Sequence, residues 1–380
     1  MFRLWRGAPR AARWCLGLTY HPRHISWLEV EIPGAPASAF HLAPKSIRDV
    51  ESVLRYCSDQ DLVVQVWGGG THSGYGAPPA PDIVMSTERL GEVEVWEPDD
   101  LTIVVGGGAP VEKVEAMVAE RNQTLVMPER PGAATVGGVV ASGVSSLRRG
   151  RLYATRERVL EVSMVTGDGR LVRSGGRVVK NVTGYDLHRM AVGAFGSLGV
   201  IVSLCLRLWP TPAGAATVVL DDIEQASVIV RPLSVLDVDG VVKVFLQGTE
   251  QEVETQIERL DGSATPGLHW PSDPSGDWGW SLRVPPSATG AAVSRLPRGW
   301  SHLAVHGVGE VRAASPSERD ADDLRSWAES IGGNLVMTKG DPTSFDPWGA
   351  PPPALALQRR LVSQFDPRRI LNPGRLPGGV

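Results

Sequence analysis

Three glycine-rich stretches lie in order along the first 200 residues of this 380-residue chain, at positions 68–76, 132–143 and 175–199. They read GGGTHSGYG, GAATVGGVVASG and GGRVVKNVTGYDLHRMAVGAFGSLG. A residue with no Cβ lets backbone N–H groups come close to a ligand, and clustered amides suit a diphosphate, which needs many donors held in place. One such stretch, in a chain with 43 Gly and 30 Pro, reads as a turn cluster. Three in sequence, each beside an apolar strand-like run, read as loops wrapped around a long phosphorylated cofactor. Two nucleotide signatures are missing. No G-x-x-x-x-G-K-[ST] occurs, and Gly68-Gly69-Gly70 misses G-x-G-x-x-G because its sixth position is Ser73.

The elements around these stretches follow from periodicity. Ser46 and Asp49 have capping-box spacing, and Ile47, Val50, Val53, Leu54 and Cys57 recur at helical intervals. LVVQVW (62–67) reads as a buried strand running into Gly68. IVM (83–85), VEVW (93–96) and LTIVV (101–105) read as further strands. Pro110 suits the first position of a helix carrying Val111, Val114, Met117 and Val118. VLEVSMVT (159–166) and RLVRS (170–174) flank a Gly-Asp-Gly hairpin signal, and VIVSLCLRLW (200–209) reads as a strand stopped by Pro210. Residues 211–219 read as a linker into a second domain, with a strand at 241–246 and a helix at 321–331. A Pro-rich run leads to a last amphipathic helix, ALALQRRLVSQF, and the tail DPRRILNPGRL. The pattern predicts an α+β chain of two lobes, with the chain end returning to the first. Its divisions are a lead-in at 1–35, a cofactor domain at 36–211, a smaller α+β cap at 212–344 and a returning segment at 345–380.

GGGT, TVGGVVASG, GGRVVKNVTGYDLHRMAVGAFGSLGVI and FDPRRILNPGRL, in this order, resemble the FAD-linked oxidases of the vanillyl-alcohol-oxidase or p-cresol-methylhydroxylase type. Within them the similarity is to the FAD-binding subunit of glycolate oxidase. It covers about residues 40–211 and 345–380. The resemblance implies a two-lobed fold, FAD as cofactor and oxidation of a small 2-hydroxy acid such as glycolate. It implies that Gly68, Gly69, Gly70 and Thr71 cradle the diphosphate and that Thr135, Gly137, Gly138 and Ser142 line a second contact. Gly193, Gly196, Gly199 and Val200 would form a third wall, against which close helix–strand packing is the alternative. Asn372 and Gly374 would lie near the cofactor, or form only a terminal turn. Where the family has Tyr-Gly-x-x-Arg-Asp, this chain has Leu152-Tyr153-Ala154-Thr155-Arg156-Glu157, with Glu161 at a later glycine. Tyr153 therefore sets a side chain where backbone is expected to approach the cofactor.

A flavin supplies the redox step, so the protein must supply a cation for the carboxylate and a base for the hydroxyl proton. Lys180 and His306 are the catalytic candidates, with His302 beside the latter, and a solvated lysine and a structural histidine are the alternatives. Related 2-hydroxy-acid dehydrogenases carry His-Gly-Asp-Gly-Asn-x-His, which contributes metal and substrate contacts. Here it is His306-Gly307-Val308-Gly309-Glu310, so no metal site is expected. His72, in Gly-Gly-Thr-His-Ser, reads as a polar neighbour of the cofactor, and the resemblance adds covalent flavin attachment as an alternative. Two further readings stay open: a noncatalytic FAD-binding accessory subunit of a larger 2-hydroxy-acid dehydrogenase, and a stand-alone alcohol or sugar oxidase.

A net charge of −4 without a dense basic run speaks against nucleic acid as a partner. Cys15, Cys57 and Cys205 are too scattered for a disulfide framework or an iron–sulfur cluster. Electrons would then leave through a larger flavoprotein and an iron–sulfur subunit, or a soluble acceptor. No run reaches the ~18 apolar residues of a membrane span. The basic, Trp-containing N-terminus reads as a lead-in or an amphipathic docking segment. A cytoplasmic protein is expected, with any membrane association through partners.

Overall fold

The computed structural model describes residues 27–129, 131–176, 186–260 and 262–380. Lys180 and the middle of the third glycine stretch lie outside the described residues.

The first lobe holds two sheets. One contains β1 (Trp27–Glu29), β2 (Phe40–Pro44), β3 (Val64–Trp67) and β4 (Ile83–Ser86), in the order β1-β2-β4-β3. β4 pairs parallel with both β2 and β3. Parallel neighbours need a crossover, and α1 (Ile47–Asp59) supplies it between β2 and β3. Ser46 starts this helix by accepting from Asp49 N at 3.2 Å, while the Asp49 carboxylate accepts from Lys45 N at 3.2 Å. Val50, Val53, Leu54 and Cys57 form its buried face and pack on Leu42, Val64, Ile83 and Met85. Each fully buried aliphatic side chain there contributes roughly 1.5–3 kcal/mol. That face fixes β3, and β3 delivers the chain to Gly68.

The other sheet is antiparallel, in the order β5-β6-β10-β8-β9. It contains β5 (Val93–Glu97), β6 (Thr102–Gly106), β8 (Val159–Val165), β9 (Leu171–Gly175) and β10 (Val200–Arg207). A two-strand ribbon, β7 (Gln123–Thr124) with β11 (Trp209–Pro210), closes its end. α2 (Val111–Ala119) begins one residue later than the proline rule places it, because Pro110 has an extended ψ of 128° and serves as the N-cap. α3 (Val136–Ser142) is capped by Thr135, whose hydroxyl accepts from Gly138 N at 3.1 Å. Val136, Val139 and Val140 press α3 onto Val105 and Leu204.

The second lobe is one antiparallel sheet of eight strands, in the order β15-β12-β14-β13-β17-β18-β16-β19. Its strands are β12 (Gly214–Leu220), β13 (Ser234–Val238), β14 (Val241–Gly248), β15 (Ser263–Pro266), β16 (Trp278–Arg283), β17 (Ser301–Val305), β18 (Glu310–Ser315) and β19 (Asn334–Lys339). The stretch read as a linker is therefore mostly strand. Ala216, Val218 and Leu220 alternate into a core under the helix Glu250–Ile257. Leu236, Phe245, Leu303 and Val305 turn toward the first lobe and meet Val126, Leu147 and Leu152. Trp280, Ala304, Val311 and Ala313 lie on the opposite face, under the helix Ala321–Ser330.

After the helix Leu355–Phe365 the chain returns to β3, where Leu371 pairs parallel with Val64. Val64 N donates to Ile370 O at 2.8 Å and Asn372 N donates to Val64 O at 3.0 Å. Among the described residues, no helix is long and apolar enough to cross a membrane.

Candidate functional site

β3, the N-terminus of α3 and the loop before β10 converge on one cavity. Gly68, Gly69, Gly70, Thr71, His72, Thr135, Gly138 and Ser142 line it, together with Phe195, Asn372 and Arg375. A smaller cavity lined by Gly137, Gly196 and Gly199 shares Val66, Gly68, Gly138 and Phe195 with it. The glycines do not all serve the same purpose. A Cβ on Gly69 would meet Ala133 O at 1.6 Å, so that glycine lets the first loop lie on the second. A Cβ on Gly138 would meet only the hydroxyl of its own cap, Thr135, at 2.9 Å, and otherwise open space.

Gly193 lies on a wider adjoining groove with Arg149, Arg156, Arg189 and Arg283. Val200 is a correction: its side chain is fully buried in β10, in the core with Val50 and Val165, and does not reach the cavity. Tyr153 also departs from expectation. Its ring stands outside the cavity, 6.5 Å from the Trp209 ring centre, on backbone with φ 67° and ψ 164°.

His72 sits where the glycine-loop cavity opens into a third, of about 390 Å³, under the second lobe. Its Nδ1 lies 3.0 Å from Thr71 Oγ1, and burial, with Arg312 adding to it, pulls its pKa down to about 4. The imidazole is therefore neutral at pH 7. β16 and β18 contribute Arg283, Glu310 and Arg312 to the lining of that cavity. Each nitrogen of Arg312 is engaged: Nε donates to Glu310 at 3.0 Å, Nη1 to Asp273 at 2.8 Å and Nη2 to Ser145 O at 3.2 Å. Glu310 also accepts from Arg149 at 3.0 Å. Arg283, shared by this cavity and the groove, has no hydrogen-bond or ion-pair partner among the described residues.

The structure separates His306 from this place. His302, Ala304 and His306 alternate onto the face away from the first lobe, and the charged neighbours of His306 are Asp237 and His302. His302 Nε2 pairs with Asp237 at 3.1 Å. Val308, where the related motif has an acid, packs in the apolar seam between the lobes with Leu147 and Leu152. From this motif it is Glu310 that enters the cleft. The signal for Glu310 and Arg312 was present as two charges alternating with Val311 and Ala313 along one strand. Among the described residues, no three His, Cys, Asp or Glu side chains gather as a metal site.

Residues 38–175 match the family described as FAD binding domain. The chain is 29% identical over 347 residues to "Glycolate oxidase subunit GlcE" of Escherichia coli (strain K12), covering 86% of this chain and 96% of that one. It is 33% identical over 181 residues to "D-lactate dehydrogenase" of Archaeoglobus fulgidus, covering 47% of this chain and 40% of that one, so it spans less than half of that relative's length. In fold it resembles solved alkyldihydroxyacetonephosphate synthase, with a TM-score of 0.63 at 13% identity over 88% of this chain and 75% of that one.

The cavity fits FAD. Arg375 Nη1 and Gln65 Oε1 are buried on its wall without partners among the described residues. A diphosphate offers acceptors to the guanidinium and the loop amides, and the dinucleotide's amino, imide and hydroxyl groups offer donors to the amide oxygen.

Proposed function

From the match of residues 38–175 to the family described as FAD binding domain, we propose that this chain is the FAD-binding subunit of an oxidoreductase acting on a small 2-hydroxy acid such as glycolate or D-lactate. The observation that carries this reading is that His72 and Arg283, whose guanidinium has no hydrogen-bond or ion-pair partner among the described residues, line one cavity adjoining the glycine loops. A 2-hydroxy carboxylate needs a fixed cation and a proton acceptor in one place. Arg283 has a free guanidinium for the carboxylate, whereas Arg312 is committed to Glu310 and Asp273. His72 holds a neutral imidazole on the wall of the same cavity, where it can accept a hydrogen bond from the hydroxyl. FAD, when bound, supplies the redox step. The names of the relatives, a glycolate oxidase subunit and a D-lactate dehydrogenase, support the same substrate class.

The shortened motif at His306 and the scattered cysteines favour work within a complex, in which a larger flavoprotein completes the chemistry and an iron–sulfur subunit carries electrons away. Any membrane association would come through those subunits. The test is anaerobic mixing with glycolate or D-lactate, followed at the flavin band. The isolated FAD-loaded chain should bleach slowly, and turnover should appear on co-expression with the larger subunits. A complex that oxidises no 2-hydroxy acid would sink the substrate reading. Fast bleaching by the isolated chain would sink the need for partners.

A further inference from the structure

Arg375 comes from the returning C-terminal segment and is 5% exposed. Its Nη2 donates to His72 O at 3.0 Å and to Ser73 O at 2.7 Å, while its buried Nη1 has no partner among the described residues. The Phe195 ring centre lies 5.9 Å from its Cζ. Among the described residues no carboxylate lines the glycine-loop cavity and none pairs with Arg375. Taking a cation out of water without a counter-anion costs several kcal/mol. Two carbonyl oxygens offset part of that cost, and a further acceptor with negative charge would offset the rest. Burial lowers the guanidinium pKa only to about 10, so it stays charged at pH 7.

We propose that Arg375 is the cation that binds the diphosphate of FAD. The loop amides are neutral donors, and His72 is uncharged at pH 7. Among the described residues, Arg375 is therefore the one full positive charge lining this cavity, against a ligand group carrying two negative charges. A guanidinium is a rigid fork: here one nitrogen holds the first loop by its carbonyls and the other is left for a phosphoryl oxygen. Asn372 fixes the segment for this task. Its Oδ1 accepts from Val66 N at 3.2 Å and its Nδ2 donates to Phe195 O at 2.9 Å, tying β3 to the loop before β10. The proposal rests on FAD occupying this cavity and is independent of the substrate.

The test titrates the apoprotein with FAD and with riboflavin, which lacks phosphate, following flavin fluorescence. Arg375→Gln should weaken FAD about 10- to 100-fold, the range for a hydrogen bond to a charged group. Riboflavin affinity should change less than about twofold, and the salt dependence of FAD binding should become shallower. Arg375→Lys, which keeps the charge, should recover part of the FAD preference and serves in its place if the glutamine variant does not fold. Equal weakening of FAD and riboflavin in either variant would show that Arg375 supports the loop or the flavin ring instead, and would overturn the proposal. Failure of the wild-type protein to take up FAD would instead remove the cofactor assignment.

Discussion

Gly69 lies so close to Ala133 that a single added carbon on it would come within 1.6 Å of the Ala133 carbonyl oxygen. The first glycine loop is thus seated on the second by backbone contact. Gly69→Ala should destabilise the apoprotein by at least about 1–3 kcal/mol, the usual scale of overpacking, and lose FAD as well. Thermal unfolding of the apoprotein, read beside flavin absorbance, checks both.

Gly138→Ala should behave differently. The new methyl group meets only the Thr135 hydroxyl and otherwise points into the cavity. The methyl must displace the Thr135 cap, at a cost of about 0.5–2 kcal/mol. The preference of a helix for alanine over glycine, about 1 kcal/mol, offsets much of it, so the apoprotein Tm should change by only a few degrees. FAD affinity should fall by tenfold or more. A variant that binds FAD normally would place Gly138 away from the cofactor.

Tyr153 holds φ 67° and ψ 164°, a region that belongs almost wholly to glycine, and it is 62% exposed. Tyr153→Gly should relieve about 1–3 kcal/mol of strain and give back about 0.5–1 kcal/mol in unfolded-chain entropy. A net gain of about 1 kcal/mol should appear as a rise in Tm of a few degrees by calorimetry. An unchanged or lower Tm would mean that the Trp209 contact outweighs the strain.

His72 links stability to pH. Its folded pKa of about 4 lies below the ~6.5 of an unfolded histidine. Between those values the unfolded chain binds a proton that the folded one refuses. Stability therefore drops as pH falls from 6.5 to 4, with a slope no steeper than about 1.4 kcal/mol per unit, and is untouched above that window. Urea unfolding of the apoprotein at pH 7, 5.5 and 4.5 should show the loss, and His72→Gln should reduce it.

Arg283→Gln should weaken the perturbation of the flavin spectrum by D-lactate about 10- to 100-fold, as loss of a charge-assisted bond to a carboxylate does. His306→Ala should leave the same titration unchanged. The reverse pattern would return the substrate to His306.

Much of the first lobe was readable because its signals are local. Ser46 and the Val50, Val53, Leu54 stripe give α1, and the glycine stretches mark three loops that do meet. The C-terminal return to β3 was readable only through the resemblance of its Asn-Pro-Gly motif. The second lobe was harder. Gly214 and two alanines hid β12, whose alternation is real but low in bulk. Which of the residues around His302 and His306 meet the other lobe was not legible, because a strand shows its residues to two faces and only pairing across the sheet reveals which face that is. Arg283 and Arg312 lie far apart in sequence and become neighbours only when β16 pairs with β18. Arg375 sits beside Asn372 in the tail, but its importance depends on a missing counter-charge, which no sequence pattern announces.

The pairing of Leu371 with Val64 also bears on how the protein is made. β3 is the last strand on its side of the first sheet, and its outer edge is covered by a segment joined to it across 306 residues, as the Val66–Asn372 bond records. While a ribosome is still adding the second lobe, that edge is bare and the loop after it lacks Asn372 and Arg375. Nascent chains therefore expose an open strand edge, which invites pairing with other chains. Flavin loading should wait until the tail has emerged, and it is the arrival of the tail that closes the edge.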